Sequence, residues 1–336
     1  MVNDFQPQPP RIHGGPDHHG VPLHDFSTNS NACGPCPIAR VAVAQADASH
    51  YPDASYTILR GKLAAFHAVE PWRIVVATSA SEFIFRITAL AKLQGGASVH
   101  VPAHSFGDYA HAAKAWGLTL ATQPAEAAKS ALVWHCQPSS PLGQIDIAPI
   151  AMECAGDTLH VLDLAYAPLR LGQVKPWEAA RYDSFWQLYS PNKALGLTGV
   201  RAAYAIAPPG TQQWVSQLAS LCASWPLGAH GVALLNCWTS AEVQAWLKHS
   251  LQTLQLWKVR QIALLESLGW TCLPSDTNFF CARPARPADL DLLRAAGIKL
   301  RDTASFGLLG HVRVSVQPPH AQAALAVAWR GLCAAY

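Results

Sequence analysis

The apolar positions divide the chain into regions of different rhythm. Over roughly the first 35 residues they follow no sustained period, and His, Gly, Pro and Asn are frequent, which predicts an arm or a set of loops. From Tyr56 short apolar runs alternate with stretches of helical period. Arg73–Ala77 predicts a buried strand and Glu82–Leu93 the helix after it. Ser98–Val101 predicts the next strand, and Tyr109–Trp116 lies in another helix. Leu132–His135 and His160–Asp163 predict two more short buried strands. Strands alternating with helices predict an α/β unit around a mainly parallel sheet. Ligands of such sheets bind beyond the carboxyl ends of the strands, so the residues just after each strand are where chemistry is expected.

Near Pro208-Pro209-Gly210 the rhythm changes. Thr239, three before Glu242, has the spacing of a capping box and opens a long amphipathic helix whose apolar face holds Val243, Trp246, Leu247, Leu251, Leu254 and Leu265 and which Gly269 stops. Asn278–Cys281 and His311–Val316 predict strands around a helix at Pro287–Ala296, a second and smaller α+β unit. The expected organisation is an arm over residues 1–40 that belongs to the small domain, a large domain over 41–215 and a C-terminal small domain over 216–336.

Composition narrows the function classes. Half of the 336 residues are hydrophobic and only 13% are charged, enough to build a sizeable core. A formal charge of +3 without any basic run argues against nucleic acid or an anionic membrane as partner. No apolar run has the length of a membrane span, and the polar start Met-Val-Asn-Asp-Phe-Gln-Pro lacks the pattern of a secretion signal. Nine scattered cysteines suit a reducing compartment better than a disulfide framework, so a cytoplasmic protein is expected.

The segments at strand ends carry the candidate chemistry. They are Thr78-Ser-Ala-Ser-Glu82, Phe106-Gly-Asp-Tyr109, Gln137-Pro-Ser-Ser-Pro-Leu-Gly143, Asp163-Leu-Ala-Tyr166, and Ser190-Pro-Asn-Lys193 followed by Gly196-Leu-Thr-Gly-Val-Arg201. Their order and spacing resemble the fold-type I aminotransferase superfamily, over nearly the whole chain from about His13 to Val316. The resemblance is nearest to the branch of histidinol-phosphate aminotransferase and the threonine-phosphate decarboxylases of cobalamin synthesis. His13-Gly-Gly15, Asp25-Phe-Ser-Thr-Asn29 with Gly34-Pro35, and Tyr51-Pro-Asp53 look like the decarboxylase side of that branch. The implied fold is that of aspartate aminotransferase-like, PLP-dependent transferases, α/β with a mainly parallel central sheet plus the smaller α+β domain.

The resemblance implies pyridoxal 5′-phosphate (PLP) as cofactor, held as a Schiff base on Lys193. A lysine amine must be neutral to attack an aldehyde, which a partly desolvated site favours. The resemblance further implies Asp163 at the pyridine nitrogen, Tyr166 at the phenolic oxygen and Tyr109 stacked on the ring. The phosphate would take the amides of Ala80 and Ser81 at a helix start, with Ser190 and Arg201. Tyr51 resembles the tyrosine that reaches the phosphate from a neighbouring subunit, implying a homodimer. Arg313 resembles a carboxylate-gripping arginine and Arg301 a second anion-binding one, with His13 and Asn31 lining the mouth. A small phosphorylated amino acid is the implied substrate.

The resemblance also has departures. Ser140 stands where the family has an asparagine near the phenolic oxygen, the phosphate turn lacks its glycine, and Pro191-Asn192 replace the usual pair before the lysine. Other motifs are set aside. Cys33-Gly-Pro-Cys36 lies in the irregular arm and not in the βαβ unit a redox motif needs, and Ser190-x-x-Lys193 lacks the companions of an acylating serine. His18-His19 with the cysteines fits no standard zinc spacing, so no metal is expected. The expected activity is decarboxylation of L-threonine O-3-phosphate to aminopropanol phosphate. The alternatives are an aminotransferase of the histidinol-phosphate type and, from another class, a catalytically degenerate PLP-binding partner protein.

Overall fold

The computed structural model describes residues 13–145, 158–172, 177 and 179–334; the polar start read against a secretion signal lies outside them. Seven strands form the main sheet, in the order Ile74–Ala77, Ala203–Ile206, Trp186–Tyr189, Leu159–Asp163, Leu132–Cys136, Ser98–His100 and Thr119–Ala121. The run from Trp186–Tyr189 to Thr119–Ala121 pairs in parallel, whereas Ala203–Ile206 is antiparallel to both of its neighbours. Alternate residues of these strands fill a fully buried layer that holds Val99, Trp134, Val161 and Trp186, against which Phe83, Ile84 and Ile87 of the helix Ala80–Leu93 pack.

Four strands form a smaller antiparallel sheet in the order Arg301–Asp302, Val312–Ser315, Phe279–Arg283 and Thr271–Cys272. The arm is tied to this unit: His24–Asp25 pairs in parallel with Ile298–Lys299. A helix of 27 residues, Ala241–Ser267, connects the two sheets along the sequence. Its N-cap is Ser240, whose hydroxyl accepts from Val243 N–H at 3.3 Å, and not Thr239. Thr239 instead ends the preceding helix Ala229–Trp238 and bonds back to the Asn236 carbonyl at 3.0 Å. Two adjacent hydroxyl residues make either one a plausible cap by spacing, and the chain turns at the second.

Lys258, buried in the long helix, clamps the segment where the two units meet. Its ammonium donates to the carbonyls of Ser275 and Thr277 at 2.5 and 2.9 Å. The residue between them, Asp276, accepts Leu171 N–H at 2.7 Å and donates its own N–H to the Gly143 carbonyl at 2.7 Å. Among the described residues no helix is long and apolar enough to cross a membrane.

Candidate active site

The parallel strands end along one edge, and the loops there enclose a cavity of about 740 Å³. Lys193, Asp163, Tyr166, Ala80, Ser81, Ser140, Ser190 and Arg201 share its wall with His13, Arg301 and Arg313. The first eight come from distant stretches of sequence and meet because each ends, follows or precedes a strand of the main sheet at the same edge, while His13 comes from the arm and Arg301 and Arg313 from the small sheet.

Asp163 closes its strand with 5% of its surface exposed. Oδ2 accepts the Tyr109 hydroxyl at 2.6 Å and Oδ1 accepts Ala165 N–H at 2.9 Å. It forms no ion pair with another described residue, and burial pushes its carboxyl up from the ordinary value, an effect opposed by those two donors and by the charge of Lys193. A buried carboxylate with fixed orientation and no cation in contact is suited to a cationic ring nitrogen in the cavity. The Lys193 ammonium lies 5.4 Å from the centre of the Tyr166 ring, and the Tyr166 hydroxyl accepts from Asn29 Nδ2 at 3.2 Å.

The loop that carries Lys193 is laced internally. Asn192 donates to the carbonyls of Thr198 and Val200 at 3.3 and 3.4 Å and accepts the Ser190 hydroxyl at 3.0 Å. The departure before the lysine is thus a staple that fixes the turn from Ser190 to Arg201. Gly196 has φ +68°, and a Cβ there would lie 2.9 Å from Gly34 Cα, so the arm packs backbone against backbone on this loop. This contact accounts for Gly34-Pro35. The flanking Cys33 thiol is pushed up to about 11 by burial, opposite to what a redox nucleophile needs. Across the cavity the helix Ala80–Leu93 starts at Ala80, capped by Ser79, whose hydroxyl accepts Glu82 N–H at 3.1 Å. The cap uses a side chain, and Ala80 and Ser81 at the helix start border the cavity.

Three of the expected site residues stand elsewhere in this chain. Tyr109 is fully buried outside the cavity, its ring stacked on Trp134 at 4.2 Å and its hydroxyl spent on Asp163. Phe106, one turn earlier, is the aromatic residue of that segment in the cavity wall. Asn31 is also buried outside it, donating through Nδ2 to Ala194 O and Ser250 Oγ at 3.0 and 2.8 Å and through its backbone to Lys193 O at 2.9 Å. Asn29 faces the cavity in its place, with Oδ1 buried and without a partner. Tyr51 is exposed on the surface of the single chain, stacked on Trp225 at 4.4 Å.

At the far end of the cavity, Arg301 and Arg313 are direct cross-strand partners in the small sheet. Both are buried, at 4% and 7% exposure, and the Phe306 ring lies 4.7 Å from one guanidinium and 5.6 Å from the other. Arg313 donates to the Ser27 carbonyl at 3.1 Å, and its Nε is a buried donor without a partner. Arg301 donates to Ser305 Oγ at 2.8 Å. Burial and the charge of Arg313 push Arg301 down to about 10, which leaves it protonated at neutral pH. Like charges opposite each other across strands repel, and anions between them relieve the repulsion. His104 Nδ1, from the large unit, lies 2.7 Å from the Phe306 carbonyl and joins the two units beside this end. Among the described residues no group of three or more His, Cys, Asp or Glu is placed to hold a metal.

A family profile described as "Aminotransferase class I and II" matches residues 22–332. The chain belongs to the class I and II aminotransferase family. Similar relatives of this family member include a histidinol-phosphate aminotransferase of Jannaschia sp. (strain CCS1), 28% identical over 90% of this chain and 88% of the relative. Another of the same name, from Symbiobacterium thermophilum, is 27% identical over 88% of both chains. Among solved structures, histidinol-phosphate aminotransferase from Sinorhizobium meliloti in complex with pyridoxal-5′-phosphate has a TM-score of 0.81 at 22% identity, over 99% of each chain. L-threonine-O-3-phosphate decarboxylase from Porphyromonas gingivalis has a TM-score of 0.79 at 21% identity, over 92% of this chain and 99% of that one. The fold is therefore that of PLP-dependent aminotransferases, and PLP is the cofactor.

Proposed function

We propose that this aminotransferase-family enzyme acts on a small amine that carries two anionic groups, and that its reaction is decarboxylation of L-threonine O-3-phosphate to aminopropanol phosphate, as used in cobalamin synthesis. The observation that carries the reading is the Arg301–Arg313 pair, two buried guanidiniums opposite each other at one end of the cavity. One suits a carboxylate and the other a phosphate.

In this reading Lys193 holds PLP, and Asp163 keeps a proton on its ring nitrogen. Tyr166, with Asn29 behind it, lies at the phenolic oxygen, with Ser140 nearby. Phe106 covers a ring face, and the amides of Ala80 and Ser81 with Ser190 and Arg201 take the phosphate. Bound there, the cofactor supplies an electron-withdrawing ring that accepts the electron pair of a bond broken at the substrate α-carbon. Arg313 grips the carboxylate and Arg301 the substrate phosphate, with His13 at the mouth. Their grip would set how the carboxylate and phosphate stand relative to the bound cofactor, and so which α-carbon bond is activated. Lys193 Nζ then delivers a proton to the α-carbon. Tyr51, exposed in one chain, reaches the phosphate site of a second in a homodimer.

The names of the curated relatives favour a second reading, transamination of a histidinol-phosphate type substrate. Carbon dioxide release from O-phosphothreonine by the PLP-loaded protein, absent in Lys193→Ala, is the expected outcome. Amino transfer from histidinol phosphate to 2-oxoglutarate, with no release of carbon dioxide from O-phosphothreonine, would replace the first reading by the second. A visible cofactor band that depends on Lys193, with neither turnover, would favour a binding partner protein.

A further inference from the structure

The arm carries an ion-pair cluster that lies outside the cavity and that the chemistry above does not use. Asp17 sits in a tight turn closed by Gly20 N–H on the Asp17 carbonyl at 2.8 Å. Its carboxylate takes a two-pronged contact from Arg294, Nε to Oδ2 at 3.0 Å and Nη2 to Oδ1 at 2.9 Å, and the Lys299 ammonium at 2.9 Å. Both cations belong to the small unit, Arg294 in the helix Leu290–Ala295 and Lys299 in the strand that pairs with the arm. Each also donates to an arm carbonyl: Arg294 to Gly20 at 2.9 Å and Lys299 to Gly15 at 2.5 Å.

From this anchor the chain runs straight to the cavity. Gly15, at φ +91°, donates its N–H to Ser27 Oγ at 2.9 Å, and a Cβ on Gly14 would collide with the Ser27 carbonyl. That same carbonyl accepts Arg313 Nη2. His13 and Gly14 line the cavity, as does Ser27.

We propose that Asp17 is a positioning residue: through Arg294 and Lys299 it fixes the arm so that His13 and Gly14 wall the anion end of the cavity and Ser27 holds Arg313. This rests on the two-anion substrate reading. The arm then moves with the small unit as one body, because both of its counter-cations are there. The three side chains keep 23%, 14% and 15% of their surface exposed, so salt weakens the anchor.

The test uses PLP-loaded wild type, Asp17→Asn, and the charge swap Asp17→Arg with Arg294→Asp. Three quantities are measured: amide hydrogen exchange of the arm, PLP affinity, and the affinities of O-phosphothreonine and histidinol phosphate from the change in cofactor absorbance. Asp17→Asn is expected to speed arm exchange and weaken substrate binding about tenfold at low salt, with PLP affinity unchanged and the gap to wild type narrowing as salt rises. The swap is expected to recover part of both losses. Unchanged arm exchange, a loosened arm with full substrate affinity, or PLP affinity falling in step with substrate affinity would each overturn the proposal. If wild type binds neither amine, the substrate reading has failed, and the anchor is judged on arm exchange alone, where an unchanged rate in Asp17→Asn overturns it.

Discussion

Asp163 has its Oδ1 and Oδ2 orientation set by Ala165 N–H and the Tyr109 hydroxyl before any ligand arrives. Asp163→Asn keeps the shape and removes the charge; it is expected to lower turnover by on the order of 100-fold while the fold persists, read by steady-state rates beside circular dichroism. Phe106→Ala and Tyr109→Phe separate two roles that sequence merged. The first is expected to weaken PLP binding with little change in stability. The second is expected to cost about 1–3 kcal/mol in stability, because it removes a donor from a buried carboxylate, and urea unfolding measures it. The segment Phe106-Gly-Asp-Tyr109 carries two aromatic residues three positions apart, one at the N-cap and one in the first turn, so spacing alone could not say which ring meets the cavity. Asn29 and Asn31 posed the same problem in an irregular segment, where no period exists to orient either side chain. Lys193, Arg201, Asp163 and Tyr166 were singled out by the family resemblance of their strand-end segments, and the fold gathers all four at one cavity.

Among the elements, two helices begin with a serine cap, and the caps have different consequences. Ser240→Ala at the long helix is expected to cost about 1 kcal/mol by thermal unfolding and to leave PLP affinity as it was. Ser79→Ala is expected to cost a similar amount, about 1 kcal/mol, and also to weaken PLP binding, because the cap sets the first turn that borders the cavity. The strands Ile74–Ala77, Ser98–His100, Leu132–Cys136 and Leu159–Asp163 matched the predicted runs to within one residue or so, since each has buried apolar residues at its centre. The helix Pro37–Ala44 overlaps the end of the stretch read as an arm: five of its eight residues are alanine or valine, and Cys36 is a cap that makes no side-chain bond.

At the scale of the whole molecule, two half-buried histidines near the main sheet contribute to its response to acid. Burial pushes His67 down to about 4 and His135 down to about 3, against an ordinary value of 6.5, so both are neutral in the fold. The unfolded chain takes up protons first as the pH falls, so the stability these residues permit is full above about 6.5 and is lost progressively below it, at up to about 1.4 kcal/mol per pH unit for each. Unfolding by urea between pH 7 and pH 4 is expected to show this slope, and His135→Phe is expected to make it shallower. The change of rhythm near Pro208 falls between the strands of the main sheet and those of the small one, but the contacts that join the two sheets were not legible. The Asp276 backbone bonds to Gly143 and Leu171 and the His104–Phe306 contact join residues far apart in sequence, and none leaves a local pattern.

The ring of Phe306 flanks both guanidiniums, its centre 4.7 Å from that of Arg301 and 5.6 Å from that of Arg313. A shared aromatic side keeps water off both cations without using any of their hydrogen-bond donors. Phe306→Ala would let solvent reach the pair, and the screened charges would then hold a doubly anionic compound less tightly, a loss read by titration against the cofactor absorbance.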